Sequence, residues 1–277
     1  MKKSILITGG SGFIGRHLLN KIRAFSIDKI EGGAIENAEK IIKEINPNII
    51  IHLASHSTVK EVEEDPIGAA NSIINNVINL LQWCKNTTQF IYFSSSMVYG
   101  DFTDGIKEDA LCSPKNMYGL MKKTAEDFVK LRANNYTIIR PSAVYGPNDK
   151  PQRVIPTFFK QALRGDTLKV NGNNSADFTY IDDIVAGTLK VINNEKAYNQ
   201  TYNITYGHSH TLEYLANAIV GLCNSSSSIE IVKPDKIYPK RGSLNIDKIT
   251  GLGYKPEYNL ERGLKKTYEL FWTQKTV

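Results

Sequence analysis

The stretch Ser4-Ile5-Leu6-Ile7-Thr8-Gly9-Gly10-Ser11-Gly12-Phe13-Ile14-Gly15-Arg16-His17-Leu18-Leu19 decides how the rest of the chain is read. Its first five residues form a short, mostly apolar run, the pattern of a strand buried on both faces. Glycines spaced Gly9-x-x-Gly12-x-x-Gly15 follow at once, and Arg16-His17-Leu18-Leu19 opens a helical pattern. A strand turning through glycines into a helix aims unpaired N–H groups and the positive end of the helix dipole at one point, where an anion is stabilised. One glycine permits the tight turn, one lets backbone approach phosphate, and one lets the helix lie close against the strand. Placed straight after a strand, the pattern predicts a dinucleotide site rather than a plain strand-to-helix turn.

The chain has 277 residues, enough for one large domain or two interlocked ones. Hydrophobic residues make up 41% and charged residues 22%, an ordinary globular composition. The net charge of +6 is scattered without blocks, which argues against nucleic acid and suits an anionic small molecule. Cys84, Cys112 and Cys223 form no C-x-x-C pair, so neither a disulfide framework nor a metal site is expected, and a reducing, cytoplasmic location is. His52, His56, His208 and His210 show no ligand spacing, and no metal is expected. No apolar run approaches the roughly 20 residues that span a bilayer, and Lys2 to Ile7 is too short for a signal peptide, so no membrane role is expected.

Working outward from the glycines, a helix is predicted from about Arg16 to Ala24. Phe25 to Gly33 carries little strand signal, and no strand-plus-acid stands out there. Asp28 and Glu31 are candidates for the adenosine ribose by proximity alone. Ile35, Ala38, Ile41, Ile42 and Ile45 recur at helical spacing up to Asn46-Pro47. Asn48 to Ala54 and Gln89 to Phe93 read as buried strands, separated by an apolar helix over Ala69 to Cys84. Met117 to Arg132 reads as a helix and Tyr136 to Arg140 as a strand. Strands alternating with helices predict an α/β fold, a Rossmann-like doubly wound parallel sheet. From about Gly146 prolines and the polar run Asn171 to Ser175 change the character. A helix from Ile181, a strand at Thr201 to Ile204, a loop at Ser225 to Ser228 and a last helix from Leu260 to Phe271 follow. The division expected is a dinucleotide-binding domain of residues 1–147 plus about 177–205. A smaller mixed α/β C-terminal substrate domain takes about 148–176 plus 206–277.

Tyr118-Gly119-Leu120-Met121-Lys122 sets a phenol and an ammonium four apart, on one helical face. A free tyrosine, with a pKa near 10, is a poor proton carrier at neutrality, and a neighbouring cation favours its phenolate. Lowering that pKa by ~3 units takes ~4 kcal/mol of differential stabilisation. Ser94, Ser95 and Ser96 end a parallel strand at its carboxyl end, where ligands of open α/β sheets bind and a hydroxyl can bond a carbonyl or alkoxide. Asp182-Asp183 reads as a pair of helix-capping acids.

Taken in order, these motifs resemble the extended short-chain dehydrogenase/reductase family, also called the NAD-dependent epimerase/dehydratase family, whose members work on nucleotide-linked sugars. They are Gly9-x-x-Gly12-x-x-Gly15, His52-Leu53-Ala54, Ser94-Ser95-Ser96-Met97-Val98-Tyr99-Gly100, Tyr118-x-x-x-Lys122, Arg140-Pro141-Ser142-Ala143-Val144-Tyr145-Gly146-Pro147 and Asp177-Phe178-Thr179-Tyr180-Ile181-Asp182-Asp183. The resemblance covers nearly the whole chain. It implies Tyr118 as the catalytic acid/base, Lys122 as the lysine that holds the nicotinamide ribose and tunes the tyrosine, and Ser95 as the catalytic hydroxyl, with Ser96 as the other register. It implies Gly9, Gly12, Phe13, Ile14, Gly15, Arg16, Leu53, Ala54, Ser94 and Pro141 at the cofactor, together with Tyr118 and Lys122. Ser95, Ser96, Tyr118 and Arg241, in Lys240-Arg241-Gly242-Ser243, would meet the substrate, Arg241 at the sugar-nucleotide diphosphate. A homodimer through two helices per subunit is likewise implied.

Departures from the family's pattern narrow the expectation. Ser96-Met97 stands where 4,6-dehydratases carry Asp-Glu. Ala176 stands where an arginine before Asp-Phe often contacts the nucleotide, and Ala143 where an asparagine does so. A shortened second-strand region without its acid, and Arg16 after Gly15, favour NADP(H), with NAD possible. The expected activity is NADPH-dependent reduction of a nucleotide-linked 4-keto-6-deoxysugar. The alternatives are a UDP-hexose 4-epimerase with the same triad and, remotely, a non-catalytic dinucleotide-binding protein.

Overall fold

The computed structural model describes residues 3–28, 37–172, 174–233 and 239–273; Glu31 and Ile35 lie outside them. In chain order the first elements are β1 (Ile5–Thr8), α1 (Phe13–Leu19), β2 (Phe25–Ile27), α2 (Ala38–Ile45), β3 (Ile49–His52), α3 (Val59–Glu64) and α4 (Pro66–Ala70). A π-helical turn leads from α4 into α5 (Asn76–Trp83), followed by β4 (Gln89–Phe93), α6 (Met117–Arg132), β5 (Asn135–Arg140), β6 (Ala143–Tyr145) and α7 (Val154–Arg164). The remainder is β7 (Leu168–Asn171), β8 (Ser175–Tyr180), α8 (Ile181–Val191), β9 (Gln200–Asn203), β10 (Ser209–Thr211), α9 (Leu212–Leu222), β11 (Ile229–Val232), α10 (Asp247–Thr250) and α11 (Leu260–Thr273).

Six strands form one sheet in the order β2-β1-β3-β4-β5-β9, and every pair in it is parallel. Parallel strands need crossovers, which put helices on both faces and bury the strands completely. Alternate residues therefore serve two cores. Ile49 and Ile51 of β3 join Ile7, Ile91 and Ile139 in one core with Leu18 of α1 and Ile184 of α8, whereas Ile50 joins Leu6, Phe90 and Ile138 under α5 and α6. β1 sits between β2 and β3, so the order reverses at β1. The crevice outside the carboxyl ends of β1 and β3 is where such sheets bind ligands.

The smaller sheets lie beyond this one. β8 is flanked by β10, antiparallel, and β6, parallel, while β7 pairs in parallel with β11. β6 and β8 thus leave the main sheet, to which α8 and β9 return the chain. Two local expectations are corrected. Phe25–Ile27 is a strand, β2, paired with Leu6 to Thr8 of β1. The Asp182-Asp183 pair does not cap α8: Asp183 accepts N–H bonds from Glu257 (2.8 Å) and Tyr258 (3.0 Å), and Asp182 takes the Lys266 ammonium at 2.8 Å. They anchor the approach to α11 instead. Among the described residues no helix is long and apolar enough to cross a membrane.

α6 is tied to the sheet by a buried ion pair. Arg140, at the end of β5, donates to both oxygens of Glu126 at 2.9 and 2.6 Å, and neither side chain is more than 2% exposed. The same guanidinium donates to the Glu108 carbonyl at 3.1 Å and lies over the Tyr99 ring. Removing one partner strands the other charge in a dry site. Glu126→Leu should therefore cost about 3–5 kcal/mol, whereas Glu126→Leu with Arg140→Met should lie close to wild type; urea denaturation at neutral pH measures both.

Candidate active site

The glycine turn is built by close backbone approaches. Gly9 has φ +79°, and a Cβ there would lie 2.7 Å from the Ala54 nitrogen, so the end of β3 presses directly on the turn. At Gly15 a Cβ would lie 2.1 Å from the Gly9 carbonyl oxygen, which is how α1 packs against the loop. Gly12 precedes α1 without a side-chain cap, so no side chain occupies the first N–H groups of the helix. Arg16 folds back on this loop, donating to the Ser11 carbonyl at 2.8 Å.

Asp28, a candidate in the sequence by proximity alone, lies beside the glycine turn. Asp28 follows β2 directly, and its carboxylate accepts the Ser11 N–H at 2.6 Å, beside the glycine turn. The expectation of NADP(H) rested on Arg16 and on there being no acid after the second strand, and it loses the second support.

Tyr118 and Lys122 lie one turn apart on the buried face of α6. Asn116 caps this helix by accepting the Gly119 N–H at 2.8 Å. A Cβ on Gly119 would lie 2.5 Å from the Met97 carbonyl oxygen, so the helix start can touch the turn after β4. That contact brings the Tyr118 phenol close enough to the Ser95 hydroxyl for that group to favour its phenolate; the hydroxyl also accepts the Met97 N–H at 3.2 Å. Ser96 is not brought to the phenol. It starts the following turn with its N–H on the Pro141 carbonyl, at 2.8 Å. Ser94 donates its N–H to the Ile139 carbonyl, while its buried hydroxyl has no partner among the described residues.

Lys122 is 4% exposed. Its ammonium donates to the Phe93 carbonyl at 2.9 Å and to the Ser55 hydroxyl at 3.0 Å, and stands 5.1 Å from the Tyr92 ring centroid. Burial lowers its pKa to about 7, opposed by the Glu126 carboxylate one turn further along α6. Burial also raises the Tyr118 phenol, while the Ser95 hydroxyl and the Arg153 guanidinium pull it down. Ser55 was not singled out in the sequence. The available signal was a hydroxyl three residues past the carboxyl end of β3, where ligands approach. Arg153 and Glu61, the charges acting on Tyr118 from outside α6, carried no motif at all.

The Arg241 segment is clasped to the loop after the serines. Phe102 N–H bonds the Lys240 carbonyl at 2.9 Å, Gly242 N–H the Phe102 carbonyl at 3.1 Å, and Asp104 accepts the Ser243 N–H at 2.6 Å. Ser175 of β8 donates its hydroxyl to the Arg241 carbonyl, and Asp177 accepts the Leu244 N–H at 3.2 Å. The expected diphosphate arginine thus belongs to a segment fixed to both β8 and the loop that carries Phe102.

Residues 5–205 match the family model described as NAD dependent epimerase/dehydratase family. The chain belongs to this family. Membership makes it an NAD-linked enzyme of the epimerase/dehydratase type. It is 28% identical to a putative UDP-glucose 4-epimerase of Methanocaldococcus jannaschii, over 95% of this chain and 96% of that protein. It is also 28% identical to a UDP-N-acetyl-alpha-D-glucosaminuronate decarboxylase of Bacillus cytotoxicus, over 98% of each. The fold overlays the crystal structure of UDP-glucuronic acid 4-epimerase from Bacillus cereus, solved with UDP-glucuronic acid and NAD, with a TM-score of 0.88. That match has 25% identity and covers 98% of this chain and 99% of that one.

The burial of Lys122 has a consequence for stability. Its pKa is about 7 when folded and the ordinary 10.5 when unfolded, so between these values the unfolded chain holds the extra proton. Stability rises with pH across that window by about 1.4 kcal/mol per unit from this group, and below it the charged lysine is buried at full cost. Urea denaturation of the ligand-free protein from about pH 7.5 to 9.5 should show this slope in wild type and lose it in Lys122→Met.

Proposed function

We propose that the chain is an NAD-dependent 4-epimerase of a nucleotide-linked hexose. The observation that carries this choice is the Asp28 carboxylate held against the glycine turn at 2.6 Å from the Ser11 nitrogen. An acid at this place accepts hydrogen bonds from the adenosine ribose hydroxyls and repels a 2′-phosphate. It favours NAD, and a retained NAD suits a reaction with no net oxidation. The 4-epimerase relatives support the same reading.

The residues fit the dinucleotide. The crowded turn at Gly9, Gly12 and Gly15 leaves its backbone bare for a pyrophosphate, Asp28 meets the adenosine ribose, and Lys122 meets the nicotinamide ribose from its seat on Phe93 and Ser55. Bound NAD supplies the hydride acceptor at C4 and later the donor to the opposite face of the same carbon. Tyr118 takes the proton of the C4 hydroxyl and afterwards returns it to the C4 oxygen. Ser95, beside Tyr118, contacts that oxygen and helps hold the phenolate. The Lys122 charge favours the phenolate when protonated. Exposed Ile67 on α4 and Met117, Leu120 and Leu131 on α6 suit a homodimer through these helices, which sedimentation velocity of the purified chain reads directly.

Purified protein should release NAD on denaturation and interconvert UDP-glucose and UDP-galactose, or a related UDP-hexose pair, without added cofactor. Tyr118→Phe should lower kcat by about 100- to 10,000-fold with folding intact. NADPH oxidation with a 4-keto-6-deoxysugar nucleotide, and no epimer formed from any UDP-hexose, would replace this reading with reduction. Asp28→Ser should raise acceptance of NADP relative to NAD in the same assay.

A further inference from the structure

We propose that Ser55 is the positioning residue for Lys122: its hydroxyl keeps the lysine nitrogen seated at the end of β4 in both of its charge states. The inference deepens the reading above, in which Lys122 is the cation that serves Tyr118, by naming what holds that cation in place.

The nitrogen of Lys122 meets three groups. The Phe93 carbonyl accepts from it at 2.9 Å, the Ser55 hydroxyl accepts at 3.0 Å, and the centroid of the Tyr92 ring lies 5.1 Å away. Two of these serve one way only. A carbonyl accepts and never donates, and an aromatic face attracts a cation but offers nothing to the lone pair of a neutral amine. A hydroxyl does both. Toward an ammonium Ser55 takes an N–H. Toward a neutral amine, which keeps two N–H groups and gains a lone pair, its O–H can turn and donate. Ser55 is half-buried in the loop after β3, and its hydroxyl makes no other hydrogen bond among the described residues, so the turn breaks nothing. Without it the lone pair would be left bare in a dry site.

The surroundings make this double service necessary. Burial has brought Lys122 to about 7, so both charge states are populated near neutrality. The titratable groups facing it are Glu126 and Tyr118 on α6, Tyr92 on β4 and His52 on β3. None of them bonds the nitrogen. Glu126 spends both carboxylate oxygens on Arg140, at 2.9 and 2.6 Å. His52 shares a hydrogen bond with the Thr8 hydroxyl at 2.7 Å and is kept neutral, burial and then the Lys122 charge lowering its pKa to about 3. Burial holds the Tyr92 and Tyr118 phenols in their neutral forms. The ammonium therefore depends on two neutral acceptors, and Ser55 is the one of them that a substitution can remove.

Two measurements test this. In urea denaturation of the full ligand-free chain, stability gains its Lys122-dependent rise with pH at the folded pKa of that lysine. Ser55→Ala takes away an acceptor of the charged form, so the rise should begin about one pH unit lower than in wild type, and Ser55→Thr, which keeps the hydroxyl, should begin where wild type does. In a Lys122→Met background Ser55→Ala should leave the pH dependence unchanged, a result that a merely structural serine would not tie to the lysine. In NAD-loaded protein the alkaline fall of kcat should likewise move about one unit lower in Ser55→Ala and return in Ser55→Thr, with KM for the sugar nucleotide within about twofold. The same onset in Ser55→Ala as in wild type, with circular dichroism unchanged, would overturn the assignment, as would a shift that persists without Lys122. If the onset moves as expected but no UDP-hexose is epimerised, the seat of Lys122 stands and the activity reading falls.

Discussion

The first turn of α6 meets the turn after β4 at a point where no side chain fits. With a Cβ, residue 119 would stand 2.5 Å from the Met97 carbonyl oxygen, and the helix would have to withdraw. Because it is glycine, the helix lies close enough for the Ser95 hydroxyl to act on the Tyr118 phenol. Everything downstream on that helix face inherits the placement. Lys122 reaches the Phe93 carbonyl and Ser55, and Glu126 reaches Arg140 at the end of β5. One backbone contact thus registers α6 against β4, β5 and the loop after β3 together.

The same stripe shows why such a site is expensive to fold. Tyr118, Lys122 and Glu126 are all buried, and burial pushes the phenol and the ammonium toward their neutral forms. Only Glu126 keeps a full charge partner, the bidentate Arg140. A lysine poised near neutrality answers readily to a cofactor or substrate that adds or removes charge beside it. Stability has been exchanged for that responsiveness, as is common at catalytic centres.

What could be read from the sequence was whatever repeats or spaces itself locally. The glycine turn, the apolar strands β3 and β4, and the four-residue interval from Tyr118 to Lys122 carry their meaning within a few residues. β2 did not, because three residues with an exposed Phe25 at the sheet edge show neither a run nor an alternation, and Asp28 lost its context with the strand. Ser95 could be preferred over Ser96 only by resemblance; its nearness to the Tyr118 phenol depends on how α6 packs on the turn after β4. Asp183 looked like a cap because capping is local, whereas its actual partners, Glu257 and Tyr258, lie over 70 residues away.

The clasp between residues 101–106 and 240–245 bears on how this scaffold can be diversified. Its hydrogen bonds run mostly through main chain, with Asp101 and Asp104 adding carboxylates to the Lys240 and Ser243 N–H groups. Main-chain pairing tolerates changed side chains but not changed length. A chimera that imported the late segment from a homologue, with an insertion, would pull on the loop leading away from the serines and so disturb chemistry it never touches. The two segments form one heritable unit, to be transplanted together, and the 133 residues between them (107–239) do nothing to separate them.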